Sequence, residues 1–324
     1  MQVDVLVVGA GPSGLYAAYY AGFRGLTTAI VDALPEPGGQ VTALYPEKMI
    51  FDIAGFPAIR GKDLVENLVA QASPFHPTYL LGEQAVGYAQ AQDGVVITTA
   101  SGTSIEAKAV IVTGGIGTFN PRPLPGGAEW EGRGLEYIVP TYLPYSGKHV
   151  VVVGGGDSAV DWALGLEGVA ASVSLVHRRE EFRAHAHSVK LLKDSSVTVV
   201  TSVQPVSVNG DGLLESLTVR HVKTKEVLHL PAQAIVAALG FTADISPLEA
   251  WGLEVHERHI VVDTTMATNL PRVFAAGDIT DYPGKVRLIS VGFGEAATAV
   301  NNAATVIDPA ATVFPGHSTE GAPA

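Results

Sequence analysis

A chain of 324 residues exceeds what one ordinary core supports, so two domains are expected. Its composition, 47% hydrophobic and 16% charged with 36 glycines, describes a packed globular protein rich in tight turns and excludes extended disorder. The formal charge of −12 argues against nucleic acid and anionic membrane as partners, and the lack of cysteine excludes disulfides, thiolate metal sites, protein-held iron–sulfur clusters and dithiol redox chemistry.

No apolar stretch reaches the roughly 18–20 residues of a membrane span. Residues 3–8 form a valine-rich run that reads as a buried parallel strand directly at the N-terminus, so no signal peptide and a cytoplasmic location are expected. The run ends in Gly9-Ala10-Gly11-Pro12-Ser13-Gly14, a helix-compatible segment follows over 15–22, and a second strand over 27–31 closes on Asp32. Strand, glycine turn, helix, strand and acid, in that order, are the dinucleotide-binding fingerprint in its required context. Gly9 permits the tight turn, Gly11 lets a pyrophosphate approach the backbone, and Gly14 lets helix and strand pack closely. Asp32 stands where a carboxylate accepts hydrogen bonds from a ribose hydroxyl. Residues 109–115 then form another apolar strand running into Gly114-Gly115.

The same unit recurs. A strand over 150–153 leads into Gly154-Gly155-Gly156-Asp157-Ser158-Ala159, with Ala159 in the place of the third glycine, and a helix starts at 160. The next strand, 172–176, ends on His177-Arg178-Arg179 instead of an acid, with Arg183 shortly beyond. A carboxylate at that point would repel a 2′-phosphate, whereas guanidinium groups grip one with paired hydrogen bonds. Residues 234–240 repeat the strand into glycine, and 273–278, ending Ala275-Ala276-Gly277-Asp278, return the chain to the first unit. The expected fold is α/β, with two Rossmann-like, three-layer ββα domains, the second inserted into the first. Residues 1–115 and 242–324 form the first, with 309–324 as a C-terminal extension, and residues 116–241 form the second.

An acidic ribose reader suits FAD and a basic one suits NADPH, so FAD and NADP(H) are the expected cofactors of the first and second domains. On the NADPH side the candidates are Gly154, Gly156, Asp157 and Ser158 at the turn and His177, Arg178, Arg179 and Arg183 after the strand. The helix after Gly292-Phe293-Gly294-Glu295 offers an N-terminus able to stabilise negative charge on a reduced flavin. Trp130, Trp162 and Trp251 read as packing residues, and His185 and His187 lack acidic or sulfur companions, so no metal is expected. The residues alone leave the electron acceptor open among a redox protein, a quinone and oxygen, and leave a non-catalytic FAD/NADPH-binding sensor as a further alternative.

The architecture fits low-molecular-weight thioredoxin reductases, but the region before the second glycine turn, 137–146, holds no Cys-x-x-Cys pair. The chain resembles more closely the ferredoxin–NADP⁺ reductases of the thioredoxin-reductase-like type. The resemblance spans nearly the whole length. It is carried by Gly38-Gly39-Gln40, Ala43-Leu44-Tyr45-Pro46-Glu47-Lys48, Asp52-Ile53-Ala54-Gly55-Phe56-Pro57, residues 154–164, 177–187, 274–278 and 292–302, and Gly316-His317-Ser318-Thr319.

This resemblance implies that Asp32, Gln40, Tyr45, Val86, Phe119, Asp278 and Thr319 line the FAD site. Tyr45 would stack on one face of the isoalloxazine, and His317, from the C-terminal extension, would cover the other, reaching a partner subunit. Ser318 would sit near flavin N5. It also implies a homodimer, electron transfer from NADPH through FAD to ferredoxin or a flavodoxin-like carrier, and no side chain acting as acid or base. Since ferredoxins are usually acidic, docking would need a local basic patch, for which Lys48, Arg60, Lys285 and Arg287 are the candidates.

Overall fold

The computed structural model describes residues 1–317, with the side chains of all but 118–120 and 243. The chain divides into two compact units: Met1–Phe119 with Ala243–Ala324, and Asn120–Thr242 inserted between them.

In the first unit, strand β1 (Gln2–Val8) lies in the middle of a seven-stranded sheet. It pairs in parallel with β2 (Thr28–Asp32) on one side and with the long strand Ser104–Val112 on the other. Residues 5–7 are fully buried, which is why β1 is an unbroken valine and leucine run instead of an alternating one. The long strand is shared along its length. Its first half pairs antiparallel with Val95–Thr99, and its last residues, Val110 to Val112, pair in parallel with Val273–Ala275, the segment returning from the second unit. Helix α1 (Pro12–Phe23) packs against helix Gly61–Ala72 and helix Ile289–Ile307.

The second unit repeats the plan with a five-stranded parallel sheet, ordered Leu135–Glu136, Ala234–Ala238, His149–Gly154, Ser172–Val176, Thr198–Val200. Alternation along the central strand separates two cores. Val150 and Val152 face helices Asp157–Glu167 and Ala186–Asp194, while Val151 and Val153 face a three-stranded antiparallel sheet formed by Val203–Asn209, Ser216–His221 and Val227–Pro231. Helix, parallel sheet and antiparallel sheet make the three layers that the fold class requires. Trp162 lies in the helical core, Trp130 in the opposite core and Trp251 in the core of the first unit, each buried. No described helix is long and apolar enough to cross a membrane.

Close approach at the first glycine turn fixes where α1 begins. Gly9 has φ +114°, a conformation that favours glycine, and a Cβ there would stand 2.6 Å from the Thr113 carbonyl oxygen. A Cβ on Gly14 would collide with the Gly9 carbonyl oxygen and lie 2.6 Å from Thr113 Oγ1. Gly11 has an ordinary φ of −68°, and a Cβ there would meet no atom within 4 Å. Gly14→Ala should therefore cost about 2–3 kcal/mol through overpacking, and Gly11→Ala should leave apoprotein stability within about 0.5 kcal/mol. Urea unfolding of both variants checks this, and equal losses would contradict the packing argument.

Candidate functional site

Strands β1 and β2 end at one edge of the first sheet, and the glycine turn, α1 and the returning chain enclose a cavity there. Gly9, Gly11, Asp32, Gln40, Tyr45 and Asp278 all line it. Gly14 lies beneath it, in the contact between helix and strand described above. The Thr113 hydroxyl holds the turn from below, donating to the carbonyls of Gly9 at 2.8 Å and Val8 at 3.2 Å.

Asp32 is fixed by its own neighbours. The Ala10 N–H donates to Oδ2 at 2.6 Å and the Leu34 N–H to Oδ1 at 2.8 Å. Burial pushes this carboxyl above the usual range, against the pull of the two backbone donors. The loop carrying Gln40 is tied to the same turn, because Gly38 N–H donates to the Ala10 carbonyl at 2.7 Å. Tyr45 caps the short helix Gln40–Leu44. Burial first, then the charges of Asp278 and Asp52, push its phenol up to about 12, so it is neutral at any working pH. Asp278 also sits above the usual carboxylate range, mainly by burial. Its carboxylate makes no hydrogen bond to any described residue, although it lines the cavity. A half-buried carboxylate that faces a cavity without a protein donor is open to hydroxyl or amide groups of a ligand.

The remaining expected FAD contacts stand differently. Val86 is not a lining residue. Its side chain is exposed and its carbonyl accepts the Trp251 indole N–H at 3.3 Å, while Glu83, Gln84 and Ala85 line the cavity just before it. The side chain of Phe119 and all of Ser318 and Thr319 lie outside the described residues. His317 is exposed, edge-on to Phe314 at 5.2 Å, and does not line the cavity of its own chain. The extension leading to it is anchored by Arg24, whose guanidinium donates to the carbonyls of Thr312 at 2.8 Å and Val313 at 2.9 Å and to Asn301 Oδ1 at 2.6 Å.

In the second unit, a Cβ on Gly154 would stand 2.5 Å from the Ala238 carbonyl oxygen and 2.7 Å from Ala159 Cβ, so the small residues at both positions allow the helix to approach its strand. Gly156 caps helix Asp157–Glu167 with open space in front of it, and Ser158 is exposed beside it. Asp157 is committed within the protein, accepting the His185 N–H at 2.8 Å. The loop after strand Ser172–Val176 is drawn to the glycine turn by Arg183, whose N–H donates to the Gly155 carbonyl at 2.8 Å. Arg178, Arg179 and Arg183 are all exposed, and none has a carboxylate partner among the described residues. His177 is placed apart from them. Its ring is buried, stacked on Phe182 at 5.2 Å and packed over Gly155, where any Cβ would collide with it, and its Nε2 has no partner among the described residues.

Of the basic residues considered for docking, Lys285 is not on the surface. Its side chain is 2% exposed and ion-paired with Glu295. Arg60 is shared between Glu47 and Asp63, Arg287 stands 4.0 Å from Asp281, and Lys48 is exposed. Sequence reasoning missed Glu83, Gln84 and Ala85, and also Asp244, Pro247 and Leu248, all of which line the cavity. The first group follows a strand without a motif, and the second arrives on the returning chain, again without one. Thr113 carried a signal, as the last residue before Gly114-Gly115.

A family model described as pyridine nucleotide-disulphide oxidoreductase matches residues 3–303. A ferredoxin–NADP reductase of a Nocardioides species is 61% identical over 326 residues, covering 99% of this chain and 98% of that relative. The ferredoxin–NADP reductase of Thermus thermophilus is 50% identical over 327 residues, with the same coverages of 99% and 98%. Among solved structures, the thioredoxin reductase of T. acidophilum superimposes with a TM-score of 0.78 at 27% identity, covering 92% of this chain and 96% of that one. The thioredoxin reductase of Lactococcus lactis also gives 0.78, at 26% identity and coverages of 94% and 99%. With this fold and these two glycine turns, the chain belongs to the pyridine nucleotide-disulphide oxidoreductase family, among its ferredoxin–NADP reductases.

Proposed function

We propose that this protein passes electrons between NADPH and ferredoxin by way of FAD held in the cavity of the first unit. The observation that carries the reading is the contrast between two similar glycine turns. One is read by a cavity-facing carboxylate, Asp32, and the other by the exposed and acid-free Arg178, Arg179 and Arg183. The first suits the ribose hydroxyls of FAD and the second the 2′-phosphate of NADPH.

Bound FAD supplies chemistry that no side chain here has, accepting two electrons as a hydride and returning them singly. The chain's own residues bind and orient. Gly11 leaves the backbone open to the pyrophosphate, and Asp32 and Asp278 accept hydroxyl hydrogen bonds. Gln40 and Tyr45 take the flavin side, with Tyr45 as a neutral stacking ring. Val86 and Phe119 remain candidates through their backbone and side chain, respectively, and Ser318 and Thr319 through the end of the extension. In the second unit Gly154, Gly156 and Ser158 face the pyrophosphate and the arginines take the 2′-phosphate. We assign Asp157 and His177 to holding the loop. The chain contains no cysteine, so the dithiol relay of thioredoxin reductases is closed to it.

The reading includes a cytoplasmic homodimer, in keeping with use of the intracellular NADPH pool. Since His317 does not line its own cavity, a covering role for it calls for a second copy. The aromatic run Tyr16, Tyr19, Tyr20 and Phe23 along α1, extended by Phe75, supports such a contact.

Ferredoxin-dependent cytochrome reduction with either nicotinamide tests the function. Activity should require ferredoxin and favour NADPH. Arg178→Ala with Arg179→Ala should raise the KM for NADPH by about 10- to 100-fold, as expected for lost charge-assisted hydrogen bonds, and barely alter that for NADH. Equal effects on both would remove the arginines from 2′-phosphate recognition. Burial first, then the charges of Arg178, Arg179 and Arg183, hold His177 below the ordinary value of 6.5. A histidine depressed in the folded state gives stability that is complete above 6.5 and lost as pH falls through the folded value. Imidazole NMR should show His177 neutral at pH 6.5, and half-protonation there would contradict its assignment as a buried wedge.

A further inference from the structure

Glu295, in the second turn of helix Ile289–Ile307, is 5% exposed and fully engaged. The Gly277 N–H donates to Oε2 at 2.7 Å and the Tyr282 hydroxyl to Oε1 at 2.6 Å. The Lys285 ammonium donates to both carboxylate oxygens, at 2.5 and 2.7 Å, and to the Gly277 carbonyl at 2.9 Å, which uses all three of its hydrogens. The peptide groups of Gly277 are thus held on both sides by one buried ion pair. The next residue is Asp278, whose carboxylate lines the cavity without a hydrogen bond from any described residue.

A buried ion pair is a poor source of stability, because apolar residues of similar volume often serve as well or better. The place of this one suggests another role. Removing the ammonium alone would leave Glu295 and Asp278 as like charges in a buried region, where one carboxyl takes up a proton closer to neutral pH. We propose that Lys285 is a positioning residue, whose ammonium cancels the Glu295 charge beside the Gly277–Asp278 turn and lets Asp278 present an ionised carboxylate to the ligand. The inference rests on the reading above that this cavity takes FAD, whose hydroxyls would donate to Asp278.

The groups acting on Asp278 fall into two opposed sets. Burial lifts its carboxyl, Lys285, Arg287 and His259 pull it down, Glu295 pushes it up, and the Tyr45 phenol facing it stays neutral. Hydroxyl donors favour the ionised form, so FAD binding weakens as pH falls through the Asp278 pKa. Whatever raises that pKa moves the loss of binding toward neutrality.

The test uses full-length apoprotein as wild type, Lys285→Met, Glu295→Gln and the double variant. Carboxyl-13C aspartate NMR follows Asp278, and fluorescence follows FAD binding from pH 5.5 to 8.5. The pKa of Asp278 should rise by about one unit in Lys285→Met, with about tenfold weaker FAD binding at pH values below it. It should fall below the wild-type value in Glu295→Gln, and in the double variant both readouts should return toward wild type. A purely structural role predicts that both single variants weaken binding alike, with Asp278 unmoved and no rescue in the double variant, and that result would overturn the proposal. Should Lys285→Met fail to fold, the opposite shift in Glu295→Gln still decides the matter. If wild-type apoprotein takes up no FAD, the functional reading fails, while the NMR series still judges the charge relation.

Discussion

The approach of Gly14 to the Gly9 carbonyl, with Thr113 Oγ1 bonded to that same oxygen, sets the distance between α1 and the central sheet of the first unit. Much of the site depends on it. With the helix drawn this close, its N-terminus and the open backbone at Gly11 face the cavity. Ser13 is carried against Gly277 and Gly292, where any Cβ would crowd its hydroxyl. The start of helix Ile289–Ile307 and the Gly277–Asp278 turn are therefore gathered around the same glycine turn as Asp32. In the second unit the equivalent contact joins Gly154, Ala159 and the Ala238 carbonyl. One steric device, used twice, produces two dinucleotide turns.

What differentiates the two is a few residues at the end of the second strand of each. Asp32 is locked by the Ala10 and Leu34 N–H groups, so its orientation toward the cavity is set before a ligand arrives. In the other unit the Arg183 N–H holds the turn at the Gly155 carbonyl, and the His177 ring packs against Gly155 as a wedge. That leaves Arg178, Arg179 and Arg183 exposed without acidic partners among the described residues, an arrangement that attracts a phosphate and costs little to desolvate. Under the proposed function neither unit needs an acid or base, and the chain's work is placement and charge.

The strands and glycine turns were legible because each rests on local rules, unbroken apolar runs and glycines where backbones meet, and the charge contrast between Asp32 and Arg178-Arg179 could be read directly from the sequence. Residues 172–176 form a strand that stops where the apolar run gives way to His177, and the helix expected after residues 292–295 begins about two turns earlier, at Ile289. The burial of Lys285 was not legible. In Tyr282-Pro283-Gly284-Lys285-Val286-Arg287 it has the setting of an exposed turn residue, and its partner Glu295 lies in an alanine-rich helix with no sign that its carboxylate points inward. Asp244, Pro247 and Leu248 were invisible for a related reason, since they reach the cavity only through the long-range return of the chain. His177 joined the arginines in sequence, yet it is buried against Phe182, because one residue along a strand end separates inward from outward.

The most direct measurement of the central claim is an anaerobic titration of the FAD-loaded protein, following the flavin absorption band. One equivalent of NADPH should bleach the band, and ferredoxin in the presence of excess oxidised cytochrome c as terminal acceptor should restore it. A band that NADPH leaves unchanged, or that ferredoxin fails to restore, would contradict the account.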